Sequence, residues 1–223
     1  MLRVLSFTVA AAAVVAAAAA CGDHPLGPTV PDVVAAASGD SQTVLVGNRP
    51  ATLVAVVKNS SGAPLANIPV RWSVTGGGGS VSSVSTTTDA NGQTQTTYFS
   101  GALVDTARVT ASTGDRSHQF IVKLAADTVA FLSALQGNGA AALVGYPLTL
   151  VAKATDRFGN VIPGVPVTWS TSGGTLETTS ATTDSIGRAS NVITVGPDTG
   201  NYTVTATSTH NTITFVVTAI ASP

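Results

Sequence analysis

The segment Ile68-Pro69-Val70-Arg71-Trp72-Ser73 returns as Val165-Pro166-Val167-Thr168-Trp169-Ser170. The echo extends to both sides. Val46-Gly47 matches Val144-Gly145, Gly62 matches Gly159, Asp89 and Gly92 match Asp184 and Gly187, and Val109-Thr110-Ala111 matches Val204-Thr205-Ala206. The offset between partners drifts only from 98 to 95 along the chain, so insertions and deletions fall in turns. A period of this length is too long for a solenoid repeat and is the size of one small domain. The chain therefore reads as one structural unit written twice.

Within each copy the hydrophobic period is two. Leu53, Ala55 and Val57 share one face of a strand over Thr52 to Lys58, and Ile68, Val70, Trp72 and Val74 share one face of the next. Such alternation marks strands with one buried side. Asn59 to Pro64 and Asp89-Ala90-Asn91-Gly92 are turn signals, and the glycines at 76–79 read as a flexible connection. Ala107, Val109 and Ala111, then Phe120, Val122 and Leu124, complete the inward set. The second copy repeats this grammar with Leu148, Leu150 and Ala152, then Val165, Val167 and Trp169, then Tyr202, Val204 and Ala206, and last Ile213, Phe215 and Val217. Seven or so short strands in about 95 residues predict an all-β fold of two tandem immunoglobulin-like antiparallel β-sandwiches. The expected divisions are a leader at 1–20, a tether at 21–30, a first module at 31–125 and a second at 126–223. Ala125-Ala126 is a short apolar junction, which implies limited bending. No cysteine lies in either module, so each tryptophan has to fill the space that a disulfide occupies in other sandwiches.

The leader has the layout of a secretory signal, with Arg3 followed by an Ala- and Val-rich run to Ala20. Ala18-Ala19-Ala20-Cys21 resembles a bacterial lipobox, with Ala18 where that pattern prefers Leu. The resemblance implies cleavage before Cys21, lipidation of Cys21 and a membrane anchor. Gly22, rather than Asp, follows the cysteine, which under the same rule implies an outer-membrane address. The chain after residue 20 carries nine basic and eleven acidic residues, a formal charge of −2. That balance lacks the basic footprint of a nucleic-acid binder. Thr, Ser, Asn and Gln supply the polar faces, as suits pleated surfaces.

Each copy resembles a bacterial Ig-like domain of the Big-1 type, as found in intimin and invasin stalks. The second copy carries the resemblance in Asp156-Arg157-Phe158-Gly159-Asn160, Ile162 to Ser170, Thr183-Asp184 through Gly187, and Tyr202 to Ala206. The first carries it in Lys58 to Gly62, Ile68 to Ser73, Thr88 to Gly92 and Arg108 to Ala111. It departs at Asn59, where the second copy has Asp156, and at Ala66-Asn67, where the second has Pro163-Gly164. The resemblance implies a β-sandwich and an extracytoplasmic stalk or adhesion role, without implying a receptor.

No catalytic motif stands out, so an enzyme is not expected. Glu177, the sole glutamate, has no acidic counterpart in the first copy, and two placed carboxylates are the minimum for glycoside hydrolysis. Ser117, His118 and Asp115 are sequence neighbours rather than a triad, and His24, His118 and His210 have no ligand spacing. Asp89 to Gly92 lacks the later acid of a calcium loop. No cofactor or metal is expected. Recognition is expected in the end loops, Lys58 to Asn67, Ser112 to His118, Asp156 to Gly164 and Ser208 to Asn211. Arg116 and His118, or Arg157 and Phe158, are the candidate contact residues, since Arg and aromatics are enriched at hot spots. The sequence reading is a non-catalytic, lipid-anchored envelope protein serving as spacer, adhesion or interaction element. Its partner is an envelope or extracellular protein or glycan, and the alternative is a carbohydrate-binding envelope module.

Overall fold

A computed structural model describes residues 29–209 and 211–222. The leader, Cys21, the tether up to residue 28 and His210 lie outside the described residues. Among the described residues there are eighteen strands and no helix.

The first module contains β1 (Val33–Ser38), β2 (Gln42–Leu45), β3 (Pro50–Lys58), β4 (Pro69–Gly76), β5 (Ser80–Val81), β6 (Ser85–Thr87), β7 (Gln93–Phe99), β8 (Thr106–Thr113) and β9 (Arg116–Ala125). The second contains β10 (Phe131–Gln136), β11 (Ala141–Leu143), β12 (Pro147–Thr155), β13 (Pro166–Thr171), β14 (Thr175–Leu176), β15 (Ser180–Thr182), β16 (Arg188–Thr194), β17 (Gly200–Thr207) and β18 (Thr212–Ile220). Each module packs a four-stranded sheet on a five-stranded one. The orders are β1-β3-β7-β5 and β2-β9-β8-β4-β6 in the first, and β10-β12-β16-β14 and β11-β18-β17-β13-β15 in the second. The two orders are the same permutation, so the internal repeat is a repeat of topology.

Nine strands per module exceed the seven or so that alternation predicts. The opening strand divides: β1 pairs antiparallel with β3, the chain turns at Gly39-Asp40-Ser41, and β2 crosses to pair parallel with β9 in the opposite sheet. β10 and β11 repeat the switch. The Asp40 carboxylate accepts the Ile121 amide of β9 at 2.8 Å and holds the crossing to that sheet. Each switch adds one parallel pair to an otherwise antiparallel sandwich.

Core positions follow the predicted inward sets. Leu53, Ala55, Val57, Val70, Val109, Phe120 and Val122 are fully buried in the first module, as are Leu150, Ala152, Val167, Val204, Phe215 and Val217 in the second. Trp72 meets Phe120 with ring centroids 5.7 Å apart, and Trp169 meets Phe215 at 5.6 Å. Ala111 stands in register between Trp72 and His118, and Ala206 between Trp169 and Ile213. A small residue on that central strand leaves room for the indole to reach across it.

The glycines at 76–79 are not a flexible connection. A Cβ on Gly77 would lie 2.4 Å from the Ala107 backbone, and one on Gly79 would lie 2.3 Å from the Phe99 carbonyl oxygen. The fully buried Tyr98 donates its hydroxyl to the Gly78 carbonyl at 2.8 Å. Gly77 and Gly79 form a close-packed corner in which a side chain would collide with backbone, while Gly78 faces open space.

Candidate functional site

The two candidate pairs lie at equivalent poles of the two modules but in different surroundings. Arg116 ends the β8–β9 hairpin at the pole of the first module away from the second. It contacts Asp32 at 3.0 Å and Asp115 at 3.8 Å. His118, two residues on, sets Nε2 3.4 Å from the Asp40 carboxylate, and its ring meets Phe120 edge-on at 4.9 Å. Burial pushes the Asp40 carboxyl upward. Hydrogen bonds from the Ile121 and Ser41 amides and the nearby imidazole outweigh it, so its pKa sits below the ordinary 3.8. His118 Nε2 thus lies near Asp40 without a hydrogen-bond partner among the described residues, while Asp115 turns to Arg116. The sequence-adjacent Ser117, His118 and Asp115 are not assembled into a relay.

Arg157 and Phe158 lie against the first module. The Phe158 ring covers Gly47: a Cβ there would sit 2.7 Å from a Phe158 ring carbon and 2.9 Å from an Arg157 nitrogen. Gly47 also has φ 95°, a conformation that disfavours side chains. The Arg157 guanidinium lies 4.7 Å from the centroid of the Phe158 ring and pairs with Asp127 at 3.3 Å, while Arg49 of the first module approaches the same carboxylate at 3.8 Å. Phe158 keeps 36% of its surface exposed.

Asp156 organises this loop. It is fully buried, and its Oδ1 accepts the amides of Phe158 and Asn160, each at 2.9 Å. Its Oδ2 accepts the Asp127 amide at 3.1 Å and the Asn160 side-chain amide at 2.9 Å. Burial raises its pKa, and these donated bonds, led by the Asn160 side chain, lower it further than burial raises it. Asn160 then reaches the first module, donating Nδ2 to the Ala102 carbonyl at 2.8 Å and accepting the Val104 amide at 3.1 Å. In the first module Asn59 replaces Asp156, and it closes only its own turn through Ser61 and Ala63. The junction relay therefore belongs to one pole of one module. In its receiving half, Ala102, Val104 and Arg49 carry no motif, and Gly47 was legible only as part of the repeat, not as a contact.

The remaining candidates are local. The Asp89 and Asp184 carboxylates each accept two amides of their own turns, at 2.8 to 2.9 Å. Glu177 is exposed beside β14. Among the described residues no three His, Cys, Asp or Glu side chains converge as a metal site.

Comparison with known proteins agrees with this architecture. Residues 35–131 and 138–220 each match the bacterial Ig-like domain (group 1). Among solved structures, InvD of Yersinia pseudotuberculosis is 18% identical with a TM-score of 0.55, over 85% of this chain and 57% of that one. The Escherichia coli adhesin FdeC is 20% identical with a TM-score of 0.51, over 82% of this chain and 63% of that one. The D00-D0 domain of intimin is 14% identical with a TM-score of 0.47, over 84% of this chain and 100% of that one. At these identities the likeness is one of fold. No curated protein sequence matches the chain.

Proposed function

This chain belongs to the bacterial Ig-like domain family, group 1, and on that premise we propose that it is a non-catalytic, lipid-anchored protein of the cell envelope. Its two modules act as a spacer and as an adhesion or interaction element, held to the outer membrane by a lipid on Cys21. The observation that carries this reading is the junction. Asn160 hydrogen-bonds the Ala102–Val104 loop of the first module, and Phe158 packs on Gly47. Two sandwiches joined in this way project a surface away from an anchor at a set distance, which a freely swivelling pair does not. Arg116 and His118 stand at the opposite pole of the first module, beside Asp32 and next to the anchored end, and they are the residues proposed for contact with an envelope or extracellular partner close to the membrane surface rather than at the projected end. Arg157 and Phe158 serve that role only through the surface the junction leaves exposed.

Anchoring is tested by fractionation. Cys21→Ser moves the protein from the membrane pellet to the soluble fraction, and unchanged detergent partitioning of the variant overturns the lipid anchor.

A further inference from the structure

Between the stretch of β7 that β5 leaves uncovered in one sheet and β6 in the other, the first module has a lateral groove of about 460 Å³, lined by Val54, Thr86, Thr87, Asp89, Gln93, Thr94 and Gln95. Its floor is a chain of hydroxyls. The Trp72 indole donates to Thr86 Oγ1 at 2.7 Å, and the buried Thr94 hydroxyl donates to the same oxygen at 2.7 Å. With both lone pairs of that oxygen occupied, the hydroxyl proton of Thr86 remains for an outside acceptor, and it meets none among the described residues.

The strand edge adds a second unmet pair. The Gln93 amide and carbonyl face away from β3 and bond Asp89. The Thr97 amide and carbonyl face the same way and bond Ser82. Alternation along an antiparallel strand turns the main chain of Gln95, between them, to that side as well, where no partner among the described residues meets it.

We propose that this groove binds a neutral saccharide. The Thr86 proton, the Gln95 main chain and the Gln93 and Gln95 side-chain amides offer donors and acceptors side by side, which vicinal hydroxyls satisfy in pairs. Val54 provides an apolar surface for a C–H face. Among the described residues the lining holds one ionisable group, the Asp89 carboxylate, and no cation pairs with it, so anionic glycans are repelled. An added peptide strand is also disfavoured, because it needs a run of free backbone groups and here Asp89 and Ser82 close the edge on either side of Gln95. The volume falls within the roughly 300–1,000 Å³ of small-ligand sites.

The second module lacks the groove chemistry. Ala181 and Ala189 stand where the first has Thr86 and Thr94, and Arg188 and Ser190 stand where it has Gln93 and Gln95. The site is a specialisation of one copy on a shared frame. It deepens the adhesion part of the proposed function and rests on it.

The test is an array of immobilised neutral and sialylated or uronic oligosaccharides, probed with the full-length chain in detergent. Retention on at least one neutral glycan is expected. Gln93→Ala with Gln95→Ala should lower it at least tenfold at an unchanged melting temperature, and Arg188→Ala in the second module should leave it intact. Retention on no neutral glycan, retention on acidic glycans alone, or binding indifferent to the double variant overturns the proposal. A chain that fractionates with the envelope yet retains no neutral glycan defeats the groove and leaves the anchored-spacer reading standing.

Discussion

The two tryptophans occupy the same place in the two modules, yet their indole nitrogens differ in satisfaction. Trp72 Nε1 donates to Thr86 at 2.7 Å, whereas the buried Trp169 Nε1 has no partner among the described residues. Ala181 replaces Thr86 and Ala189 replaces Thr94, so both the hydroxyl that receives the first indole and the one that donates to that hydroxyl are absent from the second module. An unmet buried donor costs about 1–3 kcal/mol. Ala181→Thr is therefore expected to stabilise the second module by about 1 kcal/mol, read as a higher denaturation midpoint in urea. A midpoint that stays or falls shows that the added hydroxyl does not reach the indole. Both tryptophans were evident in the sequence as core residues. The hydrogen-bond partner of Trp72 was not, because Thr86 meets the indole from another strand and Thr94 meets Thr86 from a third.

The loop from Asp156 to Asn160 shows how one element acquires a role from its surroundings. In sequence it is a turn with Arg and Phe, which points to a free recognition loop. In three dimensions its carboxylate fixes the turn, its asparagine reaches the Ala102–Val104 loop, and its aromatic ring covers Gly47. The Asp156 pKa is depressed on folding, so its contribution is present above the unfolded value of about 4 and is lost as pH falls through the folded one. The junction should therefore be rigid at pH 6 and loosen only below about pH 4. Faster, independent tumbling of the modules in NMR relaxation once the Asp156 carboxyl has titrated, with both cores intact, is the expected result. Joint tumbling that persists after the Asp156 carboxyl resonance has titrated removes Asp156 from the role. Phe158→Ala should weaken the junction at neutral pH by about 1–2 kcal/mol, from the apolar area lost, and bring the same independent tumbling. The receiving half was invisible to sequence reading because backbone groups and a glycine supply most of it.

Each module buries its own hydrophobic set, and no residue belongs to both cores. What joins them is a polar relay and one aromatic contact, a link much smaller than either core. Trp72→Ala or Trp169→Ala removes a large core side chain at a cost of about 3–5 kcal/mol, set against the roughly 5–15 kcal/mol that holds a typical domain. Either variant should unfold its own module first and give two calorimetric transitions. A single transition in both variants would mean that the junction couples the modules into one cooperative unit.

The amino-acid order determined the repeat, the sandwich class, the inward faces and the turns. Those features depend on residues close in sequence, through the alternation of side chains along a strand and the conformational preferences of Asn, Asp and Gly. The tertiary structure alone decided the strand switch at Asp40, the close packing at Gly77 and Gly79, the partner of the Trp72 indole and the use of the Asp156 loop as a clasp. It also decided that the first module has a polar groove where the second has alanines. These features arise where strands distant in sequence approach one another, and the identity of the neighbour, rather than of the residue, sets the chemistry.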